Sequence, residues 1–143
     1  MTRFGKLSFA EAIGLIETRL REAASTLRLM RLVRHDLPDK VRAKWPPVVH
    51  DWLAYDGALA KDRQWVAVNR PRVPAPDEID RLNQAMGWLW AVKNGDRLVV
   101  MARAIGVSWR QLEDRDGRSV RTLQHVHSGA LEAILVSLAE EGG

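Results

Sequence analysis

The sequence predicts an all-α fold: a helical bundle that begins with one long amphipathic helix and ends with two helices joined by a tight turn. Three observations predict it. Apolar residues recur at three- and four-residue spacing along most of the 143-residue chain, which is the helical period. Ser, Asp and Pro precede these stretches and Gly follows several of them, the residue types that start and stop helices. The single extended run, Trp65-Val66-Ala67-Val68, is too short to build a sheet.

The first helix opens on Ser8-Phe9-Ala10-Glu11, a capping-box pattern in which the hydroxyl meets the amide three residues on. Phe9, Ile13, Ile16, Leu20, Ala23, Leu27 and Met30 then draw one apolar seam to about Val33, a helix roughly 38 Å long at the α-helical rise. Such a seam either lies across the rest of the domain or pairs with a second copy of the chain, and a homodimer or higher homo-oligomer is the expectation. His35 to Pro47 reads as a turn-rich connector. Trp45-Pro46-Pro47 is expected to open a second helix with Val49, Trp52, Leu53 and Leu59 inward.

Asn69 to Pro76 holds three prolines in eight residues and reads as a linker between residues 1–68, an N-terminal helical region, and residues 77–143, a C-terminal domain. Arg70 and Arg72 on this stiff segment have the chemistry of a minor-groove arm, although a plain spacer is the simpler reading. Asp77 begins a helix with Ile79, Leu82, Met86 and Leu89 on one face, widened by Trp88 and Trp90. Its acidic start, Asp77, Glu78 and Asp80, complements the helix dipole. Asn94-Gly95 breaks the chain, and Asp96 is placed to cap the short helix Arg97 to Ile105.

The stretch from Gly106 to Val126 is the most informative. Ser108 can cap a helix that carries Trp109 and Leu112 inward, Gly117 supplies a turn, and Ser119 can cap a final helix with Leu123 and Val126 inward. That helix is expected to run to about Glu140, with Ala130, Leu131, Ile134, Leu135 and Leu138 in the core. Between the apolar anchors stand Ser119, Arg121, Thr122, Gln124 and His125, side chains that read base edges. Arg103, Arg110 and Arg118 are candidates for phosphate contact. This division of labour is that of a DNA-binding helix-turn-helix, in which apolar residues lock two helices and the outer face of the second stays polar.

Composition narrows the function classes. The net charge is +4 and is uneven: Arg19 to His50 holds eight Lys/Arg against three acids, and Arg97 to His125 six Arg against three acids. Two basic zones suit a phosphate backbone touched at more than one place. With no cysteine there is no disulfide, thiolate nucleophile or cysteine-zinc site, as expected of a reducing interior. No apolar run reaches the roughly 18 residues of a membrane span, so no membrane partner and a cytoplasmic, nucleoid-associated location are expected. His125 and His127 lie two apart on one helix and cannot share a metal, and His35 and His50 lack carboxylates at ligand spacing. No nucleophile–base pair or glycine-rich phosphate loop is present, so neither an enzyme nor a cofactor is expected. Of the six tryptophans, Trp52, Trp88 and Trp109 read as core, whereas Trp45 and Trp65 are the candidates for an exposed partner surface.

Several residues carry a resemblance as well. Leu37-Pro38, Trp45-Pro46-x-Val48-Val49, Tyr55, Pro74-x-Pro76-x-x-Ile79-Asp80, Trp88-Leu89-Trp90, Asp96-Arg97, Arg103-Ala104-x-Gly106, Ser108-Trp109-Arg110, Gly117-x-Ser119-x-x-Thr122 and Ala130-Leu131 resemble an uncharacterised family of phages and prophages, mostly of alphaproteobacteria. Its members carry a C-terminal helix-turn-helix. Residues 106–131 also resemble region four of sigma factors. The resemblance implies a DNA-binding protein of a phage late-gene or packaging region, and together with the residues the expectation is a phage-type transcriptional regulator acting on double-stranded DNA. The alternatives are a small-terminase-like packaging subunit and a protein-binding module or inhibitor that has lost DNA binding. The last is suggested by Glu113, where the pattern has a small residue, by Asp116 and Arg118, where it has apolar ones, and by the atypical His125.

Overall fold

A computed structural model describes residues 7–32, 44–47 and 72–142. The described residues form five α-helices and no strand: α1 Phe9–Leu32, α2 Pro76–Trp88, α3 Arg97–Ala104, α4 Trp109–Asp116 and α5 Val120–Gly142. The expected all-α class is what the chain adopts. The second helix expected after Trp45, with Trp52, Trp65 and Arg70, lies outside the described residues.

The predicted start of α1 is present, with the Ser8 hydroxyl accepting from the Glu11 amide at 3.2 Å. Its seam is buried at Ile16, Leu20, Ala23 and Met30, half-buried at Ile13 and Leu27, and exposed at Phe9. What covers it is the chain's own α2, α3 and α5. Of the two arrangements expected for this seam, the described residues show the first, in which it lies across the rest of the chain. Described residues on either side of the expected linker, 69–76, meet in this packing. Ile16 and Leu20 of α1 share one core with Leu82 and Met86 of α2, Val99 and Met101 of α3, Leu112 of α4, and Leu123, Leu131 and Ile134 of α5.

Polar contacts fix how α1 lies on α2. Arg19 is buried at 6 % exposure and donates Nη2 to Gln84 Oε1 at 2.6 Å, with its guanidinium 5.3 Å from the centre of a Trp88 ring. Arg81 donates Nε to Glu22 Oε1 at 2.8 Å and Nη1 to Asp77 Oδ2 at 3.2 Å. Charged donors and acceptors used this way are directional, so they set register where apolar packing alone permits sliding.

Trp45 is a further correction. It is 6 % exposed and donates Nε1 to Asn83 Oδ1 at 3.1 Å, so it belongs to the core and not to a partner surface. Among the described residues Trp90 is the exposed tryptophan, because α2 ends at Trp88 and Leu89–Ala91 tightens into a 3-10 turn that swings Trp90 off the buried face. The corner from α2 to α3 is tied by Arg97. Its buried Nε donates to Leu89 O at 2.8 Å and Val92 O at 3.0 Å, meeting carbonyls that the end of a helix leaves open.

Arg72 is likewise not a free arm. It makes a two-pronged pair with Glu78, at 2.6 and 2.9 Å, while Glu78 also accepts the Ala75 amide at 3.0 Å and so closes the first turn of α2. The Arg72 hydrogen bond, with the Ala75 amide behind it, holds the Glu78 pKa down at about 2. A carboxyl stabilised in its charged form contributes stability that is full above its ordinary pKa and lost as pH falls through the folded value. Glu78→Gln should therefore be less stable than the parent at pH 7, with the gap closing between about pH 4.5 and 2 in urea titrations. Ile16→Ala should cost about 2–5 kcal/mol and lower a single cooperative unfolding transition, measured by far-ultraviolet and tryptophan signals together. Two separated transitions would contradict a shared core.

Candidate functional site

The candidate site is built on α4, a three-residue turn, and α5. The Ser108 hydroxyl accepts from the Gln111 amide at 3.2 Å and Gln111 Oε1 accepts the Ser108 amide at 3.1 Å, a reciprocal cap that fixes the start of α4. Gly117 closes α4 with φ +90°, a left-handed conformation that glycine adopts without the Cβ penalty. Ser119 starts α5, its hydroxyl accepting from the Thr122 amide at 3.2 Å and donating to Thr122 Oγ1 at 2.9 Å. Leu112, at 1 %, and Leu123, at 0 %, seal the two helices together.

Glu113 joins them more directly. Its carboxylate accepts the Val120 amide at 2.8 Å, so a side chain of α4 caps α5. A small residue at this position would let the helices approach more closely. Glu113 instead spans the gap and satisfies one of the amides that α5 would otherwise leave open.

The predicted base-reading residues share one edge of α5. Arg121, Thr122, Gln124 and His125 are all exposed, and with Ser128 they line a shallow open depression. Leu123 faces inward between them. Ser119 is exposed too, and its hydroxyl serves the cap of α5.

The predicted phosphate set separates. Arg110, on the first turn of α4, is exposed. Arg118 is clamped instead, donating Nε to Asp116 Oδ2 at 2.6 Å and Nη1 to Asp96 Oδ1 at 3.2 Å. The Asp116 hydrogen bond, helped by that of Asp96, raises the Arg118 pKa, and the same bond lowers that of Asp116. Asp96 stands at the start of α3 as predicted, but its carboxylate serves Arg118 and makes no side-chain cap.

Arg103 is held in another way. It is half-buried, donates Nη1 to Val107 O at 2.7 Å and lies 4.3 Å from the centre of a Trp109 ring. Trp109 meets His127 edge-on at 5.6 Å. Burial lowers the pKa of His127, with Arg103 and Arg21 adding to the shift and Glu17 opposing it. Arg103 thus braces the start of α4 and does not stand beside Arg121. No sequence signal paired Arg103 with Trp109 and His127, because six and eighteen residues separate partners that only the packing of α3, α4 and α5 brings together. The Asp116-x-Arg118 spacing was the visible clue to the clamp.

With this geometry in place, the class is an all-α chain whose last two helices display a polar edge. The chain belongs to the family described as a domain of unknown function, DUF6362, which matches residues 30–134. No curated protein and no solved structure matches it. Among the described residues, no helix is long and apolar enough to cross a membrane.

The turn depends on its glycine and on the cap that follows it. Gly117→Ala should cost about 1–2 kcal/mol through backbone strain alone, since nothing lies within 4 Å of the added Cβ. Gly117→Asn should cost less than Gly117→Ala, and Ser119→Ala should cost about 1 kcal/mol by loss of the cap. Thermal denaturation of the three variants checks the order.

Proposed function

We propose that α4, the turn and α5 form a DNA-binding helix-turn-helix, and that the protein is a phage-type transcriptional regulator acting on double-stranded DNA on the nucleoid. One observation carries this reading. The first two turns of α5 present Arg121, Thr122, Gln124 and His125 to solvent on one edge, while Leu123 anchors the same turns to α4. An α-helix with such an edge fits the major groove, where Arg and Gln can pair with base edges in two-pronged fashion. The resemblance to phage proteins with a C-terminal helix-turn-helix, and to region four of sigma factors, supports the same assignment.

Arg121, Gln124 and His125 read bases in this proposal, Thr122 lies beside them, and Arg110 meets phosphate. Arg103 and Arg118 leave the phosphate set because their guanidinium groups are held by protein acceptors. The amide end of α5 is occupied as well, by Glu113 and Ser119, so it offers little to a phosphate. Few cations remain, and binding should show a shallow dependence on salt.

A second reading is favoured by that same withdrawal of cations: a module that binds protein through this edge. The packaging-subunit reading would need a ring built through a surface other than the α1 seam, whose Ile16 and Leu20 lie in the chain's own core.

Selection of bound fragments from a random duplex library should return a preferred sequence. Arg121→Ala should then cost about 1–3 kcal/mol and relax that preference, while Arg110→Ala should weaken all duplexes alike and lower the salt slope by about one. Unchanged mobility shifts for both variants at moderate salt, or no retained duplex, would overturn the proposal in favour of the protein-binding reading.

A further inference from the structure

The exposed edge of α5 runs on past His125. Ser128 is exposed as well, and it lines the same open depression as Arg121, Thr122, Gln124 and His125. At 3.6 residues per turn, Gln124 stands about 60° around the helix from Arg121, and Ser128 about 20° in the same sense. Arg121, Gln124 and Ser128 therefore form one line, spaced by about one turn along the axis. The next exposed side chain on that line is Glu132, a carboxylate that a phosphate backbone repels, so the usable stretch ends at Ser128.

This line is chemically unengaged. The side chains of Arg121, Gln124 and Ser128 make no hydrogen bond or ion pair among the described residues, whereas the hydroxyls of Ser119 and Thr122 are bonded to each other. An arginine fork carries donors only, and its two-pronged match in the major groove is O6 and N7 of guanine. A glutamine amide carries donors and an acceptor, which match N7 and the N6 amino group of adenine. A serine hydroxyl gives or takes a hydrogen bond, so it suits more than one base. Side chains about one turn apart on a helix inclined in the groove meet successive bases.

On the DNA-binding reading, on which this inference rests, we propose that α5 reads three successive base pairs. Arg121 selects a G·C pair, Gln124 selects an A·T pair beside it, and Ser128 meets a third pair with little selectivity. His125 stands about 40° to the other side of Arg121, so it adds a contact within these pairs and no fourth. Selectivity along this short element falls from two fixed purines to one tolerant position.

Fluorescence anisotropy of the full chain with duplexes from the random-library selection, at one fixed salt concentration, tests the assignment. The bound duplexes should share neighbouring G·C and A·T pairs. Arg121→Ala should erase the preference for guanine alone and Gln124→Ala that for adenine alone, each by roughly 5- to 150-fold. Ser128→Ala should alter only the third position, by about two- to fivefold. 7-Deazaguanine lacks the N7 acceptor, so at the G·C pair it should weaken the parent and leave Arg121→Ala unaffected. All three variants change exposed side chains and should keep the circular dichroism of the parent. Retained duplexes without these neighbouring pairs, a loss that falls on all bases alike, an unchanged third position in Ser128→Ala, or equal weakening of parent and Arg121→Ala by 7-deazaguanine would each overturn the inference while leaving DNA binding in place. Retention of no duplex would overturn both the inference and the reading beneath it.

Discussion

The burial of one face of α1 is the constraint on which the rest of this molecule depends. Helices α2, α3 and α5 each turn apolar side chains toward Ile16, Leu20, Ala23 and Met30, and none of them could keep those faces dry without that seam. Fully burying one such side chain is worth about 1.5–3 kcal/mol, so the seam as a whole rivals the net stability of a domain. Arg19 and Glu22 add direction, by gripping Gln84 and Arg81 of α2. Further along, Arg28 reaches the carbonyl of Ile105 where α3 ends. The position of α3, which supports α4 and α5, is therefore set in part from the other end of the chain.

Among the described residues, charge is used largely for internal construction. Arg97 collects carbonyls at a corner, Arg103 braces Trp109, Arg118 is held between two aspartates, and Arg72 closes a helix start through Glu78. A positive net charge read from composition alone would assign all four to a polyanion. The cations that the proposed function keeps are those with no such duty, Arg110 and Arg121. The edge that carries Arg121 is held rigidly, because Glu113 and Ser119 cap the same helix from two directions. On the proposed reading, that stiffness presents a preformed surface and spares the ordering cost on binding.

Much of the fold was legible because it follows from local periodicity. The seam of α1, the left-handed Gly117 and the caps at Ser8, Ser108 and Ser119 needed only residue types and spacing. The exposed edge at Arg121, Thr122, Gln124 and His125 followed from the same helical period. What the sequence could not disclose depends on contacts between residues far apart along the chain. Trp45 beside Pro46 looked exposed, but Asn83 waits for its indole across 38 residues. Nor could periodicity decide whether the α1 seam met its own chain or a second copy, since either partner buries the same side chains. Arg103 and Arg118 looked identical to Arg110 in sequence, and only the placement of Val107, Trp109 and two aspartates distinguishes them.

The lie of α1 across the other helices has a consequence for how the chain is made. Arg19 and Arg28 meet partners 65 and 77 residues later, and α5 begins roughly ninety residues after α1 ends. At a synthesis rate of about 5–20 residues per second, α1 spends on the order of ten seconds outside the ribosome before its last partner exists. Through that interval its oily stripe lacks the cover that α5 supplies, a target for chaperones and for neighbouring nascent chains. Native structure then closes fully around α1 only once α5 is made, which favours slow, all-or-none assembly over stepwise growth.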